Sequence, residues 1–247
     1  MKYLSVVFFL LIISCKPTQK NYTAQEIIDK SIAASGSDKI ANAELKFIFR
    51  DKEYIANRKA DGSFKLTKKY KDEKVGFVSD ILSNKGFKKL INGTPYQLKD
   101  SLANIASNAV NSVHYFSVLP YGLNDKAVKK KLLPSVTIKG EEYYKVEVTF
   151  SEDGGGEDFE DVFIYWIRKK DFLMDYLAYS YHTNGGGKRF RAINKEVIKN
   201  GIRFVNYDNY KPLNDSIPLI DIDKAFEENQ LKKLSEINLE EIEVTIL

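Results

Sequence analysis

With 247 residues, 43% of them hydrophobic and 29% charged, the chain has enough apolar material for a packed core, which excludes disorder for its bulk. A net charge of +4 is mild, and a single cysteine, Cys15, excludes an intramolecular disulfide and a cysteine-based metal site. Fifteen Tyr and fifteen Phe against one Trp and two Met point to a strand-rich protein, because aromatic side chains fit pleated surfaces.

Residues 1–14 read as a signal peptide. Lys2 supplies a positive start and residues 6–13 (VVFFLLII) form an apolar run. That run is shorter than the ~20 residues a membrane-spanning helix needs and fits the ~7–15 of a secretory core. Ile12-Ile13-Ser14-Cys15 resembles a bacterial lipobox, which implies lipidation of Cys15 and a mature chain that begins there. Several acyl chains on one residue make a stable anchor, where one alone is marginal. Residues 15–22 then form a polar tether without the acidic run of surface-exported lipoproteins. This predicts a body lipid-anchored in the outer membrane on its periplasmic side, a location where nucleic acid is not an expected partner.

Residues 23–247 read as one domain. Thr23-Ala24-Gln25-Glu26 is a capping box opening a helix that stops at Gly36. From 45 to 98 the apolar period becomes two: Leu45, Phe47 and Phe49 alternate with Glu44, Lys46 and Ile48, and Asp61-Gly62 and Asn92-Gly93 supply hairpin turns, so an antiparallel meander is predicted. Asp100 is the expected cap of a long helix over 101–118. Its stripe of Leu102, Ile105, Ala106, Ala109, Val110, Val113 and Phe116 should lie against the sheet, with His114 and Tyr115 off its middle. A short basic helix is predicted over 126–133, stopped by Pro134. Strands resume at 136–139 and 143–150. Residues 162–167 (VFIYWI) show no alternation, which predicts a strand buried on both faces. Further strands are predicted over 173–182, 189–198 and 202–210, a last helix over 218–231, and a closing strand over 239–246.

Several segments together resemble an uncharacterised Bacteroidota lipoprotein family: Asn111-Ser112-Val113, Tyr115-Phe116, residues 119–125 (LPYGLND), Phe150 with 154–161, 162–166, 176–181, and Arg189-Phe190-Arg191. Some members carry a deoxyribose-phosphate aldolase label. This sequence does not support it, because such an aldolase needs alternating strands and helices with a desolvated lysine, and neither pattern is present. More coarsely, the order of elements resembles the periplasmic lipoprotein-carrier fold. The expected fold is therefore α+β: a single antiparallel, strongly curved sheet forming an incomplete barrel. One long helix packs on its concave face, with short helices at either end.

The ligand-binding candidates follow from side-chain chemistry. Tyr165, Trp166, Tyr176 and Tyr179 combine apolar bodies with polar tips suited to lining a cavity, as do Tyr181, Tyr207 and Tyr210, with plain core packing the equal alternative. Arg189 and Arg191 share a strand face and could grip a phosphate or carboxylate; pairing with Asp158, Asp161 or Asp208 is the alternative. His114 and Tyr115 complete the set from the helix. The acidic, glycine-rich 152–161 stretch matches no calcium loop, and the two histidines carry no zinc spacing, so no metal and no cofactor is expected. No GxSxG, HExxH, P-loop or dinucleotide motif occurs. The predicted role is a membrane-anchored monomer binding a lipid, acyl chain or other hydrophobic ligand. The alternatives are an enzyme acting on a small anionic or sugar-like substrate near Arg189, Arg191, Asp158 and His182, and a structural partner in an envelope assembly.

Overall fold

The computed structural model describes residues 21–153, 160–182 and 185–247. The leader, Cys15 and the tether up to residue 20 lie outside the described residues, as do Gly154 to Phe159 of the acidic stretch and Thr183-Asn184.

The chain opens with α1 (Ala24–Ser35), whose capping box forms as its sequence dictates: the Thr23 hydroxyl accepts from the Glu26 N–H while the Glu26 carboxylate accepts from the Thr23 N–H at 2.8 Å. Gly36 ends it at φ 64°, and a Cβ there would collide with the Gly201 carbonyl oxygen, so both the turn and the close approach require glycine. A 3-10 turn (Ser37–Asn42) leads to six antiparallel strands in a meander: β1 (Ala43–Phe49), β2 (Lys52–Arg58), β3 (Phe64–Asp72), β4 (Gly76–Ser83), β5 (Gly86–Ile91) and β6 (Thr94–Tyr96).

After α2 (Asp100–Ser117) a second meander begins with β7 (Val128–Ile138), β8 (Glu141–Phe150), β9 (Val162–Arg168), β10 (Met174–Tyr181), β11 (Gly187–Lys199) and β12 (Ile202–Pro212). A 3-10 turn (Leu219–Asp221) and α3 (Ile222–Glu227) precede β13 (Leu231–Ile237), which pairs with β12. Finally β14 (Glu240–Ile246) pairs with β1.

The strands thus form two seven-stranded antiparallel sheets, ordered β14-β1-β2-β3-β4-β5-β6 and β13-β12-β11-β10-β9-β8-β7, and not the single sheet expected. The break falls at Asn238-Leu239, where the chain passes from the edge of the second sheet to the edge of the first. The sheets are joined there covalently rather than by a ladder, and no closed barrel forms.

Three further expectations need correcting. Residues 126–133 are not a helix: from Val128 they belong to β7, which completes the edge beside β8. Pro134 sits at its bulge between Leu133 and Val136, where the missing N–H costs no ladder bond, and lysines on an edge strand discourage further pairing. The predicted helix over 218–231 shrinks to the 3-10 turn and six-residue α3, because Asn229 turns left-handed at φ 57° and the chain from Leu231 pairs with β12. Lastly, α2 does not lie against the sheet along its whole stripe. It packs on β3 to β5, with Val110 and His114 buried, while Leu102 and Ile105 are 51% and 65% exposed. Its N-cap is Lys99, with Asp100 the first helical residue.

The doubly buried strand does form. On one face of the second sheet Phe163, Tyr165 and Ile167 pack with Ile27 and Ile28 of α1; on the other, Ile164 and Trp166 pack with Phe190 and Ile222 of α3. Lys145 fastens α3 to this outer face, reaching Asp223 at 2.8 Å and the Ile220 carbonyl. A buried network beside it joins Arg203, Asp175, Tyr143 and Arg168, with Arg203 to Asp175 at 2.9 Å. Its charges satisfy one another, as burial demands.

Candidate functional site

Between the two sheets, beside the C-terminal half of α2, lies a cavity of about 430 Å³, within the usual ~300–1,000 Å³ of small-molecule sites. Helical geometry gives α2 three faces here. Val110 and His114 point to the first sheet, while Ser112, Val113, Phe116 and Ser117 line the cavity. Phe49 and Arg50 enter from the end of β1, and Ile237 and Leu239 from the bend between the sheets.

Strand register supplies the opposite wall. Tyr179 on β10 pairs with Phe163 on β9 and Arg189 on β11, and Arg191 pairs with Asn209 on β12. Since alternate residues share a face, Phe163, Tyr179, Tyr181, Arg189, Arg191, Tyr207 and Asn209 all turn inward. The rings touch: Phe116 lies 5.5 Å from Tyr179 and 6.2 Å from Phe163, and Phe163 stacks on Tyr179 at 5.6 Å.

Arg191 is the unusual member. Only 9% of it is exposed, and its guanidinium lies 4.1 Å above the Phe116 ring. One nitrogen donates to the Tyr179 hydroxyl at 3.3 Å, yet its Nε–H is buried and meets no acceptor. Among the described residues no carboxylate pairs with it, so the expected alternative of Asp161 or Asp208 as its partner is not what forms. Asp208 instead pairs with Lys233 at 2.9 Å, and the imidazole of His182 lies 3.5 Å from Asp161, which also lines the cavity. Asn209 presents a second unsatisfied atom, its buried Oδ1. Arg189 is half-buried against the Tyr181 ring and Arg50 is exposed, so the cationic lining runs from solvent inward to Arg191. Burial also pushes the Tyr207 hydroxyl up to about 12, keeping it a neutral donor.

Of the candidates read from sequence, Tyr179, Arg189 and Arg191 come together in this cavity, with Tyr181 and Tyr207. The others do not line it. Tyr165 lies beneath the lining, fully buried, its hydroxyl 3.5 Å from that of Tyr115. Trp166 and Tyr176 face the other side of the sheet, packed on Phe190, and Tyr210 stacks there against Phe226. His114 is fully buried between Phe47 and Tyr54, its Nε2 3.2 Å from the Thr67 carbonyl. Burial, followed by the nearby Arg58 charge, lowers its pKa to about 3, so it stays neutral. Asp158 lies outside the described residues.

Sequence reasoning missed Phe49, Phe163 and Asn209 as lining residues and treated Phe116 only as core. Phe163 and Asn209 were within reach through the alternation that ties them to Tyr165 and Tyr207. Phe49 was not, because its approach depends on how the two sheets face each other. Among the described residues no three His, Cys, Asp or Glu side chains cluster as metal ligands, and no helix is long and apolar enough to cross a membrane.

A two-sheet antiparallel α+β protein with an aromatic, cationic cavity between its sheets is the class this geometry defines. The chain belongs to the DUF6503 family, a family of unknown function whose model matches residues 3–239. No curated protein matches it. Among solved structures it is similar to a LolA superfamily protein from Nitrosomonas europaea, with 12% identity, a TM-score of 0.48, and 91% of this chain and 92% of that one covered. It is also similar to a candidate outer membrane lipoprotein-sorting domain from Vibrio parahaemolyticus, with 7% identity, a TM-score of 0.44, and 88% and 93% covered. At such distances neither likeness carries a function across.

Proposed function

We propose that the protein is a lipid-anchored binding module of the cell envelope, holding a single-chain amphiphile in the cavity between its sheets. The observation that carries this reading is Arg191, a buried guanidinium with an unsatisfied Nε–H set among aromatic rings. An apolar chain against Phe116, Phe163 and Tyr179 would gain roughly 25 cal/mol for each Å² removed from water. A carboxylate or phosphate at its end would supply the acceptor Arg191 lacks, with the two-pronged geometry arginine favours. Arg50, Arg189 and Arg191 outnumber the one lining carboxylate, Asp161, which favours an anionic head. The cavity lies toward the small end of the ligand-site range, which suits one chain rather than several. Lipidation of Cys15, through the 15–22 tether, would hold this body as a monomer at the periplasmic side of the outer membrane.

The test is organic extraction of protein purified from its native membranes, followed by mass spectrometry, with displacement of a fluorescent fatty acid as the binding assay. A single-chain anionic amphiphile should be recovered, and Arg191→Met should weaken the fluorescent ligand about tenfold or more, the loss of one charged hydrogen bond. Repeated recovery of empty protein that also ignores the fatty acid would sink the proposal. For the anchor, labelled palmitate should enter the wild-type chain and not Cys15→Ser.

A further inference from the structure

The third face of α2 fronts a second cavity, of about 340 Å³, which the amphiphile reading leaves without a role. Asn111 and Tyr115 reach it from the helix, Arg58 from the end of β2, Ser63 from the turn before β3, and Tyr121 and Asp125 from the loop after α2. That loop is the LPYGLND stretch singled out in the sequence. Gly122, at φ 90°, turns it so that Tyr121 and Asp125 both face the cavity.

One group here is charged, buried and unanswered, and a carboxylate stands across from it. Arg58 is only 9% exposed, and its guanidinium lies 5.5 Å from the Tyr121 ring and near enough to His114 to act on its titration; among the described residues no acceptor or carboxylate meets it. Its burial lowers its pKa, so the charge is held at a cost. Across the cavity Asp125, exposed at the rim, makes no side-chain hydrogen bond or ion pair among the described residues; partial desolvation raises its pKa and the charge of Lys130 draws it back. The two are not each other's partners, since neither figures in the other's perturbation. A buried arginine is normally satisfied by an oxyanion.

We propose that this cavity is a second, independent binding site, taking a small organic oxyanion: its phosphate or carboxylate group on Arg58 and a hydroxyl or ammonium group on Asp125. The rings of Tyr121 and Tyr115 hold its carbon body, and Ser63 and Asn111 supply neutral hydrogen bonds at the rim. With a buried cation on one side and a carboxylate on the other, it selects compact polar molecules over long chains.

Calorimetric titration of the full-length protein in phosphatidylcholine nanodiscs tests this, with inorganic phosphate and the short-chain lipid dihexanoyl phosphatidylglycerol as separate probes. Phosphate should bind at one saturable site. Asp125→Asn should tighten it about fivefold by removing a like charge, and Arg58→Gln should abolish it while leaving fluorescent fatty acid bound at the first cavity. Binding of the phosphatidylglycerol but not of phosphate, lost in Arg58→Gln, would assign the oxyanion to a lipid headgroup. If Arg58→Gln does not fold, Asp125→Asn decides alone. No heat with either probe, or affinities that neither substitution moves, would overturn the site. Because the fatty-acid assay reads the other cavity, either site can fail without the other.

Discussion

The two sheets have the same strand count and the same meander, yet they answer to water differently. The first is covered on one face only: Leu45, Phe47, Tyr54, Ala56 and Leu66 turn in under α2, while Lys46, Glu53, Lys65 and Lys69 turn out. The second is packed on both faces, by α1 and the end of α2 within and by α3 without. A one-sided sheet encloses little by itself: the cavity it borders at Arg58 and Leu66 is closed by α2 and the loop after it. The second sheet, its outer face already sealed, supplies most of the first cavity's wall and its buried cation, Arg191. The difference teaches that the aromatic cavity belongs to the sheet with the deeper core, where Phe116, Phe163 and Tyr179 surround the guanidinium.

Substitutions can break this contrast or sharpen it. The largest effect is expected at Trp166, fully buried on the outer face of the second sheet between Phe190 and the Lys145 ammonium. Trp166→Ala should cost about 3–5 kcal/mol, seen as a lower midpoint in urea. Ile81→Ala, half-buried on the uncovered face of the first sheet, should cost under about 1 kcal/mol. Equal losses would mean that the two sheets are not differently covered. Because Trp166 is fully enclosed in this second core, the same variant should leave fatty-acid binding intact wherever it still folds.

The acid limb of stability comes next, and it belongs to the first sheet. His114 is held neutral with a pKa of about 3 against its usual 6.5, mainly by burial. Its Nδ1 is buried without a partner, so a proton added there would be a donor with nothing to meet. The unfolded chain takes up that proton near pH 6.5 and the native one does not. The stabilisation is therefore complete above pH 6.5 and falls by about 1.4 kcal/mol per unit as pH drops toward 3. Urea midpoints measured from pH 7 to pH 4 should show this slope. His114→Gln should flatten it, and an unchanged slope would mean that another group is responsible.

Much of this contrast could be read from the chain. Alternation at Leu45, Phe47 and Phe49 announced a half-covered strand, and the unbroken VFIYWI run announced a doubly covered one. What escaped was the sidedness within that run. Tyr165 and Trp166 are consecutive, so only one could face inward, and chemistry alone made both attractive. His114 looked like a site residue because it lies off the helix stripe; the structure turns that side of α2 into the first sheet. The lysines after residue 126 suited a helix as well as an edge strand, and only the need of β8 for a neighbour decides between them. Arg191 was legible as a cation on the right strand, but its want of a partner was not, since Asp208 and Lys233 meet only in three dimensions.

A smaller effect is expected at the N-terminus of α1, which leans on the second sheet through Ile27 and Ile28. Thr23→Ala removes one half of the capping box and should cost about 1 kcal/mol. Thr23→Asp should restore most of it, because aspartate also accepts from the third N–H of the helix. If both substitutions cost the same, the helix is held by its apolar face alone.

The smallest effect is also the most telling for α2, because sequence and structure disagree there. A periodic stripe predicts that Leu102 and Ile105 are core residues, so that the double change Leu102→Ser, Ile105→Ser would cost several kcal/mol. The structure leaves both in water, ahead of the point where the helix meets β3 to β5 at Val110. The double variant should then stay within about 0.5 kcal/mol of the parent, apart from the small helix preference of leucine over serine. A large loss would mean that these residues are covered, by chain or by lipid, in the protein as it works. A negligible one would leave the helix as two segments with separate duties: a solvated outer half, and an inner half whose three faces hold the first sheet and two cavities apart.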